Sequence, residues 1–223
     1  MTTALVTWSR WHAAILLAAF AASLYLEKPL AVAACGAASL VGLVISARGS
    51  WTSSGDFGWA NAVTALRAAV VCVLGGHLLY APEPLVAAIV LGLFALDGVD
   101  GWLARRRGSA SEFGALFDME TDAYFVLVVE LVLYQRGALG AWILLTGVLR
   151  YVYVLVRAFV PARRPDVPRS RFGRLAFTSL ALGLFFALAL PGTLGTLAAL
   201  AGTAVVSASF ALSFYDSYAR AKG

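Results

Sequence analysis

The chain has 223 residues, of which 61% are hydrophobic and only 13% are charged, and its mean hydropathy is +0.84. A soluble domain carries about 25% charged residues, so this composition excludes an ordinary soluble protein and indicates an integral membrane protein. The net charge of +5 and the pI near 9.5 indicate contact with anionic lipid head groups, and we expect no nucleic-acid partner.

Apolar runs long enough to cross a bilayer follow one another along the whole chain. At a rise of 1.5 Å per residue, about 20 apolar residues span a hydrocarbon core of about 30 Å. The runs do not alternate apolar and polar residues, so they predict helices and not the strands of a barrel. We therefore predict an all-α membrane protein of about eight transmembrane helices, at about 11–26, 30–47, 60–80, 84–104, 113–134, 138–156, 172–190 and 193–214.

The first of these runs has a second interpretation. Arg10 precedes an apolar stretch that contains "AAFAAS", and this pattern is also typical of a cleaved signal peptide. The second run would still pass from the outside to the inside after cleavage, so the topology of the remaining helices does not depend on the choice.

The basic residues orient the predicted helices. With both termini in the cytoplasm, the outer loops hold only Lys28 and Arg136, while Arg67 and Arg150 lie within the apolar runs. This bias satisfies the positive-inside rule and predicts a bacterial cytoplasmic membrane location. The cytoplasmic segments hold the remaining thirteen basic residues: Arg10, Arg48, Arg105, Arg106, Arg107, Arg157, Arg163, Arg164, Arg169, Arg171, Arg174, Arg220 and Lys222.

Acidic residues are concentrated in one stretch, "DGVDGWLARRRGSASEFGALFDMETD", which holds six of the twelve in the chain. Asp97 and Asp100 end the fourth predicted helix, and Asp118 and Asp122 begin the fifth. Each pair has a spacing of three or four residues and so shares a helix face. A short basic connection joins the two helices, which we expect to be antiparallel neighbours with all four carboxylates in one pocket.

Four converging carboxylates would repel one another without a cation. Carboxylate oxygens suit hard cations, so we predict a site for Mg²⁺ or Mn²⁺, with room for two ions. Gly101 and Ala104 lie on the same side of the helix and leave space for a flat ligand, and Gly114 does the same one turn before Asp118. Arg105 can donate a forked pair of hydrogen bonds to phosphate oxygens. These features together predict a diphosphate site.

The spacing of these residues resembles the signature of the CDP-alcohol phosphotransferase family. The matching positions are Asp97, Asp100, Gly101, Ala104, Arg105, Gly114, Asp118 and Asp122. Upstream, "NAVTALR" resembles the family's Asn-x-x-Thr-x-x-Arg at Asn61, Thr64 and Arg67. The resemblance covers about residues 58–214, which implies a six-helix catalytic core preceded by two additional helices in residues 1–50 and followed by a cytoplasmic tail, 215–223.

The resemblance implies transfer of a substituted phosphate from a CDP-linked donor to an alcohol, with release of CMP. It implies that Asp97, Asp100 and Asp118 are metal ligands and that Asp122 is the base, which can also touch a metal. Gly101, Ala104 and Arg105 would line the nucleotide and diphosphate site, with Asn61 and Thr64 nearby and Gly114 beside them. We expect CDP-diacylglycerol as donor and a small alcohol as acceptor, with the active site at the cytoplasmic face and membrane lipids around the helices.

The acceptor is less well defined by the sequence. The family often carries a Gly-Lys-x-x-Thr-like stretch after the fourth core helix, whereas this chain has "SRFGRLAF", with Arg174 in place of the lysine. Arg171 and Arg174 could bind the phosphate of a phosphorylated acceptor, although topology alone would also explain them. Arg67 is expected either to reach the membrane surface or to line the site, and Arg150 either to function or to pair with a neighbouring helix. We expect no catalytic role for Glu120 or Glu130.

Three alternatives stay open at this point. A soluble CDP-alcohol could be the donor, with a lipid such as diacylglycerol as the acceptor. The carboxylates could instead belong to a divalent-cation carrier, although a carrier would place them near the middle of the membrane. A catalytically inactive scaffold is the third, and the four intact aspartates argue against it. A homodimer is also possible, with the two N-terminal helices at its interface.

Overall fold

The computed structural model describes residues 3–107, 111–160, 171–190 and 192–219. Within these ranges it describes the backbone alone for residues 99–107, 171 and 219. The described chain is helical, without strands. Its eight α-helices are α1 (Thr3–Tyr25), α2 (Leu30–Ser46), α3 (Trp59–His77), α4 (Glu83–Arg107), α5 (Glu112–Gln135), α6 (Leu144–Phe159), α7 (Arg171–Ala189) and α8 (Thr193–Phe214). A 3₁₀ turn, Ala141–Ile143, precedes α6, and a π-helical turn, Tyr215–Ala219, follows α8.

This architecture confirms the predicted all-α membrane fold. Five of the described helices are long and apolar enough to cross a membrane: α1, α3, α6, α7 and α8. For α6 and α8 this length includes the adjoining turn. Helix α2 is apolar but shorter. The two others, α4 and α5, carry the acidic stretch. The predicted order of helices is therefore observed, with boundaries that differ by a few residues at most ends.

The largest difference in boundaries is at the first helix, which begins at Thr3 and not near residue 11. The residues in question include polar side chains, which lower the local hydropathy and hide the start of the helix. Ser9 and His12 are nonetheless buried, because they bind polar side chains of other helices: Ser9 donates to Glu120, and His12 is hydrogen-bonded to Ser39.

Helix α5 is the centre of the bundle. Almost every residue from 120 to 133 is buried, because α2, α3, α6 and α7 all pack against this helix. Within the described residues, α4 and α5 make few direct contacts with each other, whereas α3 packs extensively against both. The acidic ends of α4 and α5 nevertheless meet, as the sequence predicts, and the Arg67 side chain of α3 contacts both of them.

A buried carboxylate joins α5 to the first turns of α6. Glu130 is fully buried and accepts hydrogen bonds from the Thr146 hydroxyl and from the backbone N–H of Gly147. A Cβ atom on Gly147 would lie 2.6 Å from Glu130 Oε2, so only glycine allows this approach. Glu130 therefore joins α5 to α6 through these two hydrogen bonds.

Candidate active site

Three carboxylates converge at the end of the bundle where α4 ends and α5 begins. Asp97 is contributed by α4, and Asp118 and Asp122 lie one turn apart on α5. One oxygen from each lies within 4.8 Å of the other two. The spacing of four residues puts the two α5 carboxylates on the same face, as the sequence predicted. The structure thus brings together three of the four aspartates identified from the sequence.

Arg67 of α3 binds all three of these carboxylates. Its Nη2 atom donates to Asp122 Oδ1 at 2.7 Å, and its Nη1 atom donates to Asp118 Oδ1 at 3.0 Å. The same Nη1 atom lies 3.3 Å from Asp97 Oδ1. The arginine is only 2% exposed. Of the two roles expected for Arg67, lining the site is therefore the one observed.

The three aspartates differ in their access to solvent. The side chain of Asp122 is 2% exposed, whereas those of Asp97 and Asp118 are 26% and 29% exposed. The site is consequently a shallow recess, with two carboxylates at its rim and one at its base. A ligand that approaches from the aqueous end of the bundle meets Asp97 and Asp118 first.

The start of α5 is fixed against α3 and the loop that precedes it. Ser111 caps α5 by accepting from the Gly114 N–H at 2.9 Å, and its hydroxyl donates to the Trp51 carbonyl oxygen at 2.6 Å. Asn61 donates to the Phe57 carbonyl oxygen at 2.6 Å. A Cβ on Gly114 would lie 3.0 Å from Asn61 Oδ1. Asn61 and Gly114 therefore meet at the junction of the two helices that carry Arg67 and Asp118.

The motif on α3 forms one buried face. Asn61, Thr64 and Arg67 are spaced by three residues, and all are at most 5% exposed. Thr64 donates back to the Ala60 carbonyl oxygen at 3.2 Å. This face points the whole motif toward α5, so the residues that resemble the family's upstream sequence lie beside the aspartates.

Several predicted site residues lie outside the described side chains. Asp100, Gly101, Ala104 and Arg105 belong to the last turns of α4, whose backbone is helical, and their side chains are not described. The side chain of Arg171, at the start of α7, is not described either. Arg163, Arg164 and Arg169 lie outside the described residues altogether. Arg174, in the first turn of α7, is exposed.

A second polar cluster lies on the opposite side of α5. Glu120 is 1% exposed and accepts from Arg150 Nη2 at 2.6 Å and from Ser9 Oγ at 3.0 Å. From the sequence we expect Glu120 to point away from the aspartates and Arg150 either to function or to pair with a neighbouring helix, but the sequence does not pair the two. Glu120 and Arg150 are both charged residues inside apolar runs, where each needs a partner of opposite charge. This shared need is the sequence signal that could have paired them.

The donor set fits a divalent metal ion. Carboxylate oxygens are the ligands that Mg²⁺ and Mn²⁺ prefer, and Asp97, Asp118 and Asp122 offer three of them within 4.8 Å of one another. Two are partly open to solvent, so other ligands can reach a bound ion. The cluster can therefore bind a metal.

The fold and this cluster define an integral membrane protein with a carboxylate site at one end of a helical bundle. The family profile for CDP-alcohol phosphatidyltransferase matches residues 57–214. The chain belongs to this family, which confirms the resemblance inferred from the aspartate spacing and coincides with the predicted range.

Named relatives are similar over parts of the chain. A probable phosphatidylglycerophosphate synthase of Mycobacterium tuberculosis H37Rv is 33% identical over 136 residues, which cover 56% of this chain and 64% of the relative. A CDP-diacylglycerol–inositol 3-phosphatidyltransferase 1 of Arabidopsis thaliana is 35% identical over 75 residues, or 34% of this chain and 33% of the relative. The chain thus spans less than two thirds of the length of either. No solved structure matches it.

Proposed function

We propose that this protein transfers a phosphatidyl group from CDP-diacylglycerol to a small alcohol and releases CMP. The observation that carries the proposal is the cluster of Asp97, Asp118 and Asp122 within a chain that belongs to the CDP-alcohol phosphatidyltransferase family. The names of both relatives refer to phosphatidyl compounds, and one names CDP-diacylglycerol. A lipid donor also suits a site at the end of a membrane-embedded bundle, where the acyl chains stay in the bilayer.

The reaction requires one bond to form and one to break at the same phosphorus. The acceptor hydroxyl oxygen attacks the phosphorus that bears the diacylglycerol, and the bond to the bridging oxygen of the diphosphate breaks. CMP leaves with that oxygen, and the acceptor's proton passes to a base. Catalysis of such a displacement depends mainly on positioning and on neutralising the charge of the phosphate oxygens.

The residue roles are assigned from the family positions, and the burial of Asp122 beside two more exposed aspartates supports them. We assign Asp97, Asp100 and Asp118 as ligands of Mg²⁺ or Mn²⁺, with Asp122 as both a ligand and the base. A bound divalent cation would neutralise the negative charge of the diphosphate. Asp122 lies at the base of the recess beside Arg67, whose two donated hydrogen bonds hold the α5 carboxylates in a fixed orientation.

The nucleotide side of the recess is assigned by family position. Gly101, Ala104 and Arg105 of α4 would face the cytidine diphosphate, with Asn61, Thr64 and Gly114 shaping the wall formed by α3 and α5. The support is that Asn61 and Gly114 are in contact at the junction of α3 and α5. A side chain at position 114 would have to displace Asn61.

Arg174 is proposed to bind the phosphate of a phosphorylated acceptor, together with Arg171. Helix α7 packs against α4 and runs antiparallel to it in the alternating bundle, so its first turn lies at the same end as Asp97. Arg174 is exposed and free to reach a ligand at that end. Arg174→Ala should raise the KM for glycerol 3-phosphate and leave the KM for the donor unchanged. Arg48→Ala, which removes an exposed arginine from the α2–α3 loop, is the matched control.

The site is proposed to face the cytoplasm of a bacterial cell. The support is the distribution of arginine and lysine along the chain, which favours the aspartate end and both termini on the cytoplasmic side. CDP-linked donors and phosphorylated alcohols would then reach the site from the compartment that makes nucleotides.

The test uses purified protein in nanodiscs with radiolabelled CDP-diacylglycerol. Glycerol 3-phosphate, inositol, inositol phosphate and serine are offered separately, and the lipid products are separated by chromatography. One labelled phospholipid that appears with one acceptor, together with an equal amount of CMP, supports the proposal. Asp97→Asn in the same nanodiscs is the control. The proposal fails if no acceptor yields a labelled lipid while the protein is monodisperse and binds Mn²⁺.

A further inference from the structure

The two N-terminal helices lie outside the region that matches the family, which begins at residue 57, yet they reach the helix that carries the aspartates. Helix α1 contacts α5 at Glu120, and α2 contacts it at Tyr124. These two positions lie two residues before and two residues after Asp122. The helix pair therefore holds α5 at the level of the active site.

The contact with α1 fixes the rotation of α5 about its axis. Glu120 accepts from Ser9 of α1 at 3.0 Å and from Arg150 of α6 at 2.6 Å, and it is 1% exposed. Successive residues are separated by about 100° on a helix, so Glu120 points away from Asp118 and Asp122. A carboxylate fixed on one side of the helix keeps the aspartates directed toward Arg67 on the other.

The contact with α2 fixes the distance between α2 and α5. The Tyr124 hydroxyl donates to the Ala33 carbonyl oxygen at 2.6 Å, and Tyr124 is fully buried. Its ring lies against Gly36, where an added Cβ would be 2.4 Å from Cε2 and 2.6 Å from Cδ2 of the ring. Only glycine at position 36 permits this approach.

The two helices also bind each other at this depth. His12 of α1 is hydrogen-bonded through Nδ1 to Ser39 Oγ of α2 at 2.8 Å. The His12 ring stacks on Trp8 and meets Tyr151 of α6 edge-on, with ring centroids 4.6 and 5.9 Å apart. The pair therefore contacts α5 and α6 as a connected unit.

We infer that the α1–α2 pair is a positioning element of the active site, which holds Asp118 and Asp122 in register with Asp97 through Glu120 and Tyr124. This inference rests on the proposed function of the aspartate cluster. Ser9, Gly36, Glu120 and Tyr124 are positioning residues, because they act through α5 and do not touch the reacting groups.

The most direct perturbation is Gly36→Ala. The new methyl group would displace the Tyr124 ring and with it α5 near Asp122, and a displacement of about 1 Å can lower a rate by about 100-fold. We expect kcat to fall at least tenfold and the dissociation constant for Mn²⁺ to rise several-fold. Gly42→Ala is the matched control on the same helix, since a Cβ at Gly42 has no atom within 4 Å, and it should retain native values.

A second substitution tests whether the effect passes through Tyr124. In the double variant Gly36→Ala with Tyr124→Leu the ring that causes the clash is absent, so part of the lost kcat and Mn²⁺ affinity should return. Such a result would be a non-additive coupling between contacting residues. Additive losses would instead show that the effect of Gly36→Ala does not pass through the Tyr124 ring.

Ser9→Ala and Tyr124→Phe test the same contacts without adding volume. Each removes one hydrogen bond, and we expect a lower kcat with a weakened Mn²⁺ affinity at an unchanged elution volume. Ser23→Ala is their control, because it removes an α1–α2 hydrogen bond away from Asp122, the one that the Val32 N–H donates to Ser23 Oγ. It should leave kcat and Mn²⁺ affinity unchanged.

The measurements are Mn²⁺ binding by electron paramagnetic resonance and steady-state CMP release. Folded Gly36→Ala, Ser9→Ala and Tyr124→Phe proteins with native Mn²⁺ affinity and native kcat would overturn the inference. If the wild-type protein releases no CMP from any donor, the proposed function fails. Mn²⁺ binding to the three variants still tests the positioning role in that case.

Discussion

Replacing Arg67 with methionine removes the cation that binds three aspartates and preserves much of the side-chain volume. In the native protein, the guanidinium lies 2.7 Å from Asp122, which is 2% exposed. The substitution leaves this buried carboxylate and its two neighbours without that partner. We therefore expect the metal-free protein to be strongly destabilised, whereas a divalent cation should restore much of the loss.

The magnitude follows from the burial of the pair. Removing one partner from a buried ion pair costs about 3–5 kcal/mol. For a chain of this length each kcal/mol shifts Tm by about 2–4 °C, so the metal-free variant should melt roughly 6 to 20 °C below the wild type. A metal at 100 times its dissociation constant returns about 2.7 kcal/mol. The metal should stabilise the variant more than the wild type. In the wild type the Arg67 guanidinium competes with the metal for the same carboxylate oxygens, and in the variant it is absent.

The assay is thermal unfolding in detergent with EDTA and with a series of Mg²⁺ concentrations. Arg48→Met is the matched control, since Arg48 is exposed in the loop after α2 and its loss should change neither Tm nor the response to Mg²⁺. Unfolding of Arg67→Met at the wild-type temperature in EDTA, or a stabilisation by Mg²⁺ no larger than that of the wild type, would contradict the expected role of Arg67.

Three further predictions concern the base, the packing and the topology. Asp122→Asn should lower kcat by about 10²–10⁴-fold with a smaller effect on the donor KM, and normal turnover would show that another group is the base. Gly147→Ala should lower the free energy of unfolding by about 1–3 kcal/mol, because its methyl would lie 2.6 Å from a buried carboxylate oxygen. Gly42→Ala should leave the free energy of unfolding unchanged, and equal stability of the two variants would contradict the prediction. With the native cysteines replaced, a cysteine at Ser53 should react only with reagent from the cytoplasm and one at Ala138 only from outside, and the reverse pattern would invert the topology.

The helices and the aspartate cluster could be predicted because their signals are local. Long apolar runs need only composition, and the placement of Asp118 and Asp122 on one face needs only the helical period. The same locality explains the late predicted start of α1. Ser9 and His12 lower the hydropathy of its first turns, and their partners lie on other helices.

The contacts of Arg67, Glu120 and Tyr124 could not be predicted because they join distant parts of the chain. A single arginine in an apolar run is compatible with a position at the membrane surface, and nothing in the sequence places it between α4 and α5. Glu120 and Arg150 each signalled a buried partner, but the sequence does not show which faces meet. The packing of Tyr124 on Gly36 depends on how α2 crosses α5, which no local pattern encodes.

The most direct test of the proposed function is the release of CMP from CDP-diacylglycerol by purified protein, followed with Mg²⁺ present and again with EDTA. We expect acceptor-dependent release with Mg²⁺, none in EDTA, recovery on adding excess Mg²⁺ or Mn²⁺, and little or no release by Asp118→Asn at any metal concentration. Full release in EDTA, or wild-type rates from Asp118→Asn, would contradict the assignment of the reaction to this carboxylate cluster.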